Sequence, residues 1–390
     1  MSFTNRQYKR LMTGVVAAGV LVATAAGAVA QVCPATTVTS GLFRPIGMAW
    51  SNQGNLIVSE TGIRTPHGGR LSIVDPSGAR RTLLDALPSG RSDVGDPAGP
   101  AGIVMRGRTA YVLMSIGDSV LPAPVPTRQL ANPAVSSPIF SSVLAVHFSA
   151  SVEKKTAGFT LSIADQSTLA EGRRVMLSNG GGDTIEIELV TDFPDYVPDP
   201  LPGFPAIVRG SNPFGLALVD SHLYVTDGGR NGVWDVDLAT GVHTMLATFP
   251  TIPNPLPIGG PVIEAVPTGI EEVDGRLLVT LFRGVPFAPG SSSVVEIDKS
   301  TGAWSTFIGG LKTAIDVLPI GGGYLVLQNS SGPAPFFAGP GVVLSISDPA
   351  VPPVTIANCL DRPTSMLLGA GRTLYVAELL TGRIVALTLQ

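Results

Sequence analysis

The sequence predicts an all-β fold, a six-bladed β-propeller whose ring is closed by an N-terminal strand that completes the last blade. Three observations carry this expectation. Units of four short strands recur along the chain, the last unit lacks its fourth strand, and the segment ahead of the first unit offers a spare one. The composition agrees with it. Of 390 residues 44% are hydrophobic, too many for a disordered chain, and 46 glycines with 34 prolines suit short strands joined by tight turns.

The first 30 residues are set apart. Arg6, Lys9 and Arg10 form a basic start, an apolar run follows from Leu11 to Ala26, and Ala28-Val29-Ala30 precedes Gln31. This layout predicts a secretory signal peptide over residues 1–30, cleaved to leave a mature domain over 31–390. The run is short for a membrane span, and no later stretch reaches spanning length. Val32 ahead of Cys33 does not fit a lipoprotein signal. The expected location is periplasmic or extracellular, and the expected state is a monomer.

The first unit runs from Arg44-Pro45-Ile46-Gly47 through Asn55-Leu56-Ile57-Val58 and Arg70-Leu71-Ser72-Ile73 to Arg81-Thr82-Leu83-Leu84. The second starts at Gly102-Ile103-Val104, and the third at Asn212-Pro213-Phe214-Gly215. The fourth starts at Pro267-Thr268-Gly269-Ile270, and the fifth near Ala314-Ile315-Asp316-Val317. The sixth opens on Arg362-Pro363-Thr364 and stops after Arg383-Ile384-Val385-Ala386-Leu387. Thr36-Thr37-Val38 is then the strand that pairs with its open edge, which would otherwise template aggregation. Two separate β-sandwiches are the alternative, but they do not account for the repeat or the missing strand.

The second unit is interrupted twice. A Pro-rich loop spans about 117–138, and an insertion spans about 147–184, with a short helix expected over Ala164–Val175 capped by Asp165 or Ser167. Ile185-Glu186-Ile187-Glu188 alternates cleanly and returns the chain as the outer strand of the unit. Such an insertion either shapes a binding face or is decoration.

Two cysteines in an exported chain invite a disulfide. Cys33 precedes the spare strand and Cys359 follows the outer strand of the fifth unit, so the register sets them on opposite faces. A bond needs Cα atoms within about 7 Å and hence an N-terminal segment that bends back.

At this point several segments resemble the ScyD/ScyE family. They are Ser211-Asn212-Pro213-Phe214-Gly215-Leu216 with Leu223-Tyr224-Val225-Thr226-Asp227, Glu264-Ala265-Val266-Pro267-Thr268-Gly269-Ile270, and Phe282-Arg283-Gly284-Val285-Pro286-Phe287-Ala288-Pro289-Gly290. The resemblance covers nearly all of the mature chain and departs from the family in the large insertion. It implies an exported NHL-like β-propeller, from a family named for proteins encoded beside the biosynthesis genes of the pigment scytonemin. It implies no settled catalytic activity.

Charge and motif content exclude more than they assign. A net charge of −4 with only 14% charged residues offers no surface for nucleic acid. There is no CxxC pair and no HExxH motif, so no metal site is expected. A calcium site of the kind found in propeller lactonases needs several convergent oxygen ligands. The corresponding positions here are Arg44, Asn212, Thr268 and Arg362, of which only Asn212 fits, so calcium is a minor possibility and no cofactor is expected. His67, His147, His222 and His243 read as surface or packing residues, since none lies in a nucleophile motif.

One charge pattern does repeat. Arg44 and Glu60 lie sixteen residues apart, as do Arg362 and Glu378, with Asn212 and Asp227 at the same places in the third unit and Lys312 beside the fifth. These seven form an expected collar on one face of the ring. They are either cross-strand ion pairs that pin the inner hairpins or a polar ligand site in the funnel. Phe282, Phe287, Phe336 and Phe337 lie in Pro/Gly-rich loops, as buried anchors or as an exposed contact surface. The expected function is a scaffold that binds a small molecule or a protein. The alternative is a hydrolase, lactonase or isomerase acting on a small metabolite.

Overall fold

Residues 33–389, apart from 64 and 334, are described by a computed structural model. The expected signal peptide lies outside the described residues. Within them the chain is all-β, and its strands assemble into seven mostly antiparallel sheets of four or five strands and two short ribbons, six of the sheets following the sequence repeat. The first sheet holds Pro45–Trp50, Leu56–Glu60, Gly69–Val74 and Arg80–Leu87. The second holds Pro100–Arg106, Thr109–Met114, Ser142–Phe148 and Thr184–Asp192. The third begins at Pro213–Val219, the fourth at Pro267–Val273 and the fifth at Ala314–Ile320. The sixth has three consecutive strands, Pro363–Leu368, Thr373–Glu378 and Arg383–Thr388. Its fourth is the first of the described strands, Thr36–Ser40, which pairs with Arg383–Thr388.

Each strand alternates its side chains between two faces, and in inner strands such as Leu56–Glu60 and Gly69–Val74 both faces are buried. In Arg276–Leu281, Leu277 and Val279 pack with Ala217 and Val233 of the third sheet, while Leu278 packs with Val317 and Val326 of the fifth. The same division recurs between other neighbours. Met48 and Val58 of the first sheet pack with Ala377 and Ile384 of the sixth. Trp50 meets Tyr375 edge-on at 5.2 Å and donates its indole N–H to the Leu368 carbonyl. A single sheet would leave one apolar face in water, at about 25 cal/mol per Å² of exposed apolar surface.

The leading strand of each sheet approaches that of the next in chain order, and the sixth approaches the first. Small residues permit this. A Cβ on Gly47 would lie 2.8 Å from the Ala101 carbonyl oxygen, one on Gly102 2.6 Å from that of Phe214, and one on Gly215 2.1 Å from that of Thr268. Hydroxyl groups fasten the same contacts. Ser59 receives the Gly47 N–H and donates to the Ala101 carbonyl, and Thr226 does the same for Gly215 and Thr268. Between the sixth and first sheets Thr364 donates to the Pro45 carbonyl at 3.0 Å.

The insertion departs from expectation in detail. It contains two helices, α1 (Ala150–Lys155) and α2 (Ile163–Ala170). The start of α2 is set by Ser162, which forms a reciprocal capping box with Asp165, so Asp165 is the third helical residue and not the cap. The helix stops at Ala170, and Val175–Ser178 pairs as a strand with Thr184–Asp192 instead. Phe159–Thr160 pairs parallel to Arg80–Leu87 and covers the outer edge of the first sheet. The Pro-rich segment is not a plain loop either. Val120–Pro122 and Gln129–Ala131 join Tyr196–Pro198 and Ile207–Gly210 in a small sheet of their own.

The two cysteines are bonded, with Cα atoms 5.5 Å apart. The register alone set them on opposite faces. The structure differs because residues 33–35 leave the line of the first strand and turn toward Val354–Leu360, where Ala35 packs onto the cluster holding Ala357 and Leu360. The bond ties residues 326 apart in sequence. Replacing both cysteines by serine is expected to lower stability by about 2–5 kcal/mol, because so long a loop restricts the unfolded chain strongly. Chemical denaturation of the double variant beside the oxidised parent measures this, and equal midpoints would refute it.

Candidate functional site

The expected collar is built into the turns that enter the leading strands. Its acids are fully buried and saturated by the protein. Glu60 receives both Arg70 Nε at 2.9 Å and Arg70 Nη2 at 2.6 Å, together with the Ser72 hydroxyl and the Phe43 N–H. Asp227 receives the Asn212 N–H at 2.7 Å, the Gly229 and Arg230 N–H groups and the Trp234 indole. Glu378 receives the Asp361 N–H at 2.9 Å, the Thr381 hydroxyl and Arg383 Nε. In the fifth sheet Gln328 takes the same role and accepts the Lys312 N–H at 2.8 Å. Each of these side chains therefore holds the backbone turn that enters a leading strand. That turn needs holding, because Arg44, Thr313 and Arg362 adopt φ of 59°, 45° and 50° there.

The sixteen-residue pairs are corrected accordingly. Glu60 is held by Arg70 and Glu378 by Arg383, each its direct cross-strand neighbour. Arg44 instead approaches Asp96 at 3.9 Å. Arg362 donates to the Phe337 carbonyl and lies over the Phe337 ring, 4.8 Å from its centre. Lys312 is buried and donates to the Gly332 carbonyl at 2.7 Å. Equal sequence spacing did not mean contact, because the nearest partner of each acid sits on the third strand. The loop aromatics divide. Phe282, Phe287 and Phe337 pack together, with Phe287 stacked on Phe337 at 4.4 Å, but Phe337 stays exposed on its other side, as does Phe336, which makes no ring contact among the described residues.

A cavity of about 350 Å³ lies between the leading strands and is lined by residues from all six. Its wall is largely apolar, with Met48, Met105, Phe214 and Met366 among the contributors. Four polar side chains interrupt that wall: Glu271, Asp316, Thr364 and Ser365. Asp316 stands at the position that Gly47, Gly102, Gly215 and Gly269 occupy in the first four units, and Ser365 stands at that position in the sixth. Asp316 Oδ2 accepts the Met366 N–H at 2.7 Å and Oδ1 the Val317 N–H at 3.0 Å. Its carboxyl thus bridges the fifth and sixth sheets. The Ser365 hydroxyl is buried without a hydrogen-bond partner.

Electrostatics single out the two acids. Burial, and after it the nearby Asp316 charge, together push the Glu271 carboxyl up to about 8. Burial pushes Asp316 up to about 7 against the pull of its two backbone donors. Two carboxyl groups that repel each other in an apolar cavity are both driven toward the protonated form. This pair can donate a hydrogen bond, accept one, or exchange a proton with a bound molecule.

The sequence reading missed Glu271 and Ser365 as site residues and saw Asp316 only as a strand residue. A signal was present. A charged or hydroxyl side chain where other repeats carry glycine replaces the close strand contact that glycine makes there. Compared with known proteins, the chain matches no family model, and no curated protein is significantly similar to it.

Two outcomes are expected of the acids. Glu60→Ala should cost about 3–5 kcal/mol, since it strands a buried guanidinium, while Arg44→Ala should change stability by less than about 1 kcal/mol. Denaturation of both variants checks the contrast, and similar losses would refute it. The second outcome concerns pH. Both cavity acids have folded values above their ordinary ones, so the native state binds more protons between about pH 4 and 8. Their contribution to stability is full below that window and is lost as pH rises through it. Glu271→Gln with Asp316→Asn should flatten the fall in melting temperature between pH 5 and 8. A slope identical to that of the parent would refute the assignment.

Proposed function

We propose that the six sheets are the blades of a β-propeller and that the chain is an exported binding protein of the ScyD/ScyE type, monomeric and without a resident cofactor. Support for the ring comes from the contact of the sixth sheet with the first and from the cavity that every leading strand lines. Support for export comes from the N-terminal sequence pattern and the Cys33–Cys359 bond, which suits an oxidising compartment. Among the described residues no helix is long and apolar enough to cross a membrane.

The reading places the ligand in the central cavity and not at the collar. The observation that carries it is the Glu271–Asp316 pair, desolvated and mutually repelling in an apolar wall of ligand-sized volume. A cation between the two groups relieves both penalties at once, because it lets the carboxyls ionise against an opposite charge. The favoured ligand is therefore a small, mostly apolar molecule carrying an amine. Methionine side chains in the wall suit such a ligand, since they adapt their shape to it.

The same pair supports a second reading. Two carboxyl groups that titrate near neutrality can act as general acid and general base, which is the requirement for a hydrolase or isomerase in the cavity.

Titration with short alkylammonium ions and the matching alcohols tests the binding reading. Trp50 lines the cavity and reports occupancy through its fluorescence. The ammonium ions are expected to bind more tightly than the alcohols, to release protons on binding, and to lose at least about tenfold in affinity in the Glu271→Gln, Asp316→Asn variant. Equal affinity for amine and alcohol, or an unchanged affinity in that variant, would overturn the proposal. Chemical change of a bound molecule, followed by NMR, would favour the catalytic reading instead.

A further inference from the structure

A second polar cluster lies far out on the second sheet, on elements that the proposed ligand cavity does not use. His147 is in the strand Ser142–Phe148, between Thr109 on one neighbouring strand and Glu186 on the other, and both are its direct cross-strand partners. Glu188 follows Glu186 by two residues and so projects from the same face. One ligand atom from each of His147, Glu186 and Glu188 falls within 4.8 Å of the others. His147 Nε2 is 3.2 Å from Glu188 Oε1. The other ring nitrogen, Nδ1, is 2.8 Å from the Thr109 hydroxyl. The cluster borders an open surface pocket.

We infer that His147, Glu186 and Glu188 form a binding site for one first-row divalent metal ion, for which zinc is the fitting probe. The donor set selects the class. One imidazole nitrogen with two carboxylate oxygens suits zinc and its neighbours, whereas calcium takes six to eight hard oxygens and no imidazole. Rigidity supports it, because all three ligands stand on paired strands and not on loops. The contact of Nδ1 with Thr109 turns Nε2 toward the carboxylates, the outer-shell arrangement that orients metal-binding histidines. Bonds of about 2.0–2.1 Å in a tetrahedral site imply ligand atoms about 3.3 Å apart, which side-chain rotation reaches from the present spacing.

Arg174 is the competitor. Its guanidinium bridges Glu186 Oε1 at 2.7 Å and Glu188 Oε2 at 2.8 Å. The side chain is 65% exposed, so its ion pairs are of the weak surface kind and it can swing into water. A cation already seated between the two glutamates marks the place that a divalent ion fills with greater charge. Binding then exchanges the arginine for the metal.

Calorimetric titration of the full chain with zinc tests this. One equivalent is expected to bind. His147→Ala and Glu188→Gln should weaken it by about a hundredfold or more, and Thr109→Val by about tenfold. Arg174→Ala should tighten it roughly tenfold by removing a positive charge beside the ion. Circular dichroism establishes that each variant is folded. Three results would overturn the inference: no stoichiometric binding by the parent chain, binding by Arg174→Ala alone, or binding that survives His147→Ala and so belongs to His67, His222 or His243.

Discussion

The close approach of neighbouring leading strands is the constraint on which the rest of the molecule depends. Backbone meets backbone there, at carbonyl oxygens that would touch any Cβ on Gly47, Gly102 or Gly215. Such contact leaves polar groups in the interior, and each must find a partner. The Ser59 and Thr226 hydroxyls serve both the glycine N–H and the carbonyl of the adjacent sheet. One side chain thus satisfies two sheets and fixes their separation. The apolar layers outside, such as Leu277 and Val279 on one face and Leu278 on the other, then fill the wedges that this separation leaves.

The buried acids belong to the same system. Glu60, Asp227 and Glu378, with the amide of Gln328 in the fifth sheet, each close the turn that leads into a leading strand. An acid so placed is locked into position by several donors, and this leaves it nothing to offer a ligand. Burial with full hydrogen bonding marks a structural carboxylate, while burial without it marks a reactive one. Glu271 is half-buried, and no described residue donates to it.

The insertion shows how an added segment is made part of the core. Glu153 of α1 is buried and accepts hydrogen bonds from Ser51 and Asn55 in the first hairpin turn of the first sheet, with Arg108 in the first hairpin turn of the second 3.7 Å away. Val152, Phe159, Leu161 and Leu169 join the apolar layer between those two sheets. The insertion therefore clamps two neighbours, and it brings Arg174 against the glutamates of the returning strand.

By itself the sequence determined the strand repeat, the all-β class, the missing last strand and its replacement by Thr36–Ser40. These follow from local alternation and turn chemistry, which residues near one another in the chain decide. It also held a trace of the cavity, in the Asp316 and Ser365 that interrupt a glycine repeat. Only the tertiary structure decided that Arg70 and not Arg44 meets Glu60, that Cys33 reaches Cys359, and that Glu271 and Asp316 face the same apolar space. Those outcomes depend on which strands lie side by side and on how much water is excluded between them. Both are properties of the packed sheets, and spacing along one strand does not encode them.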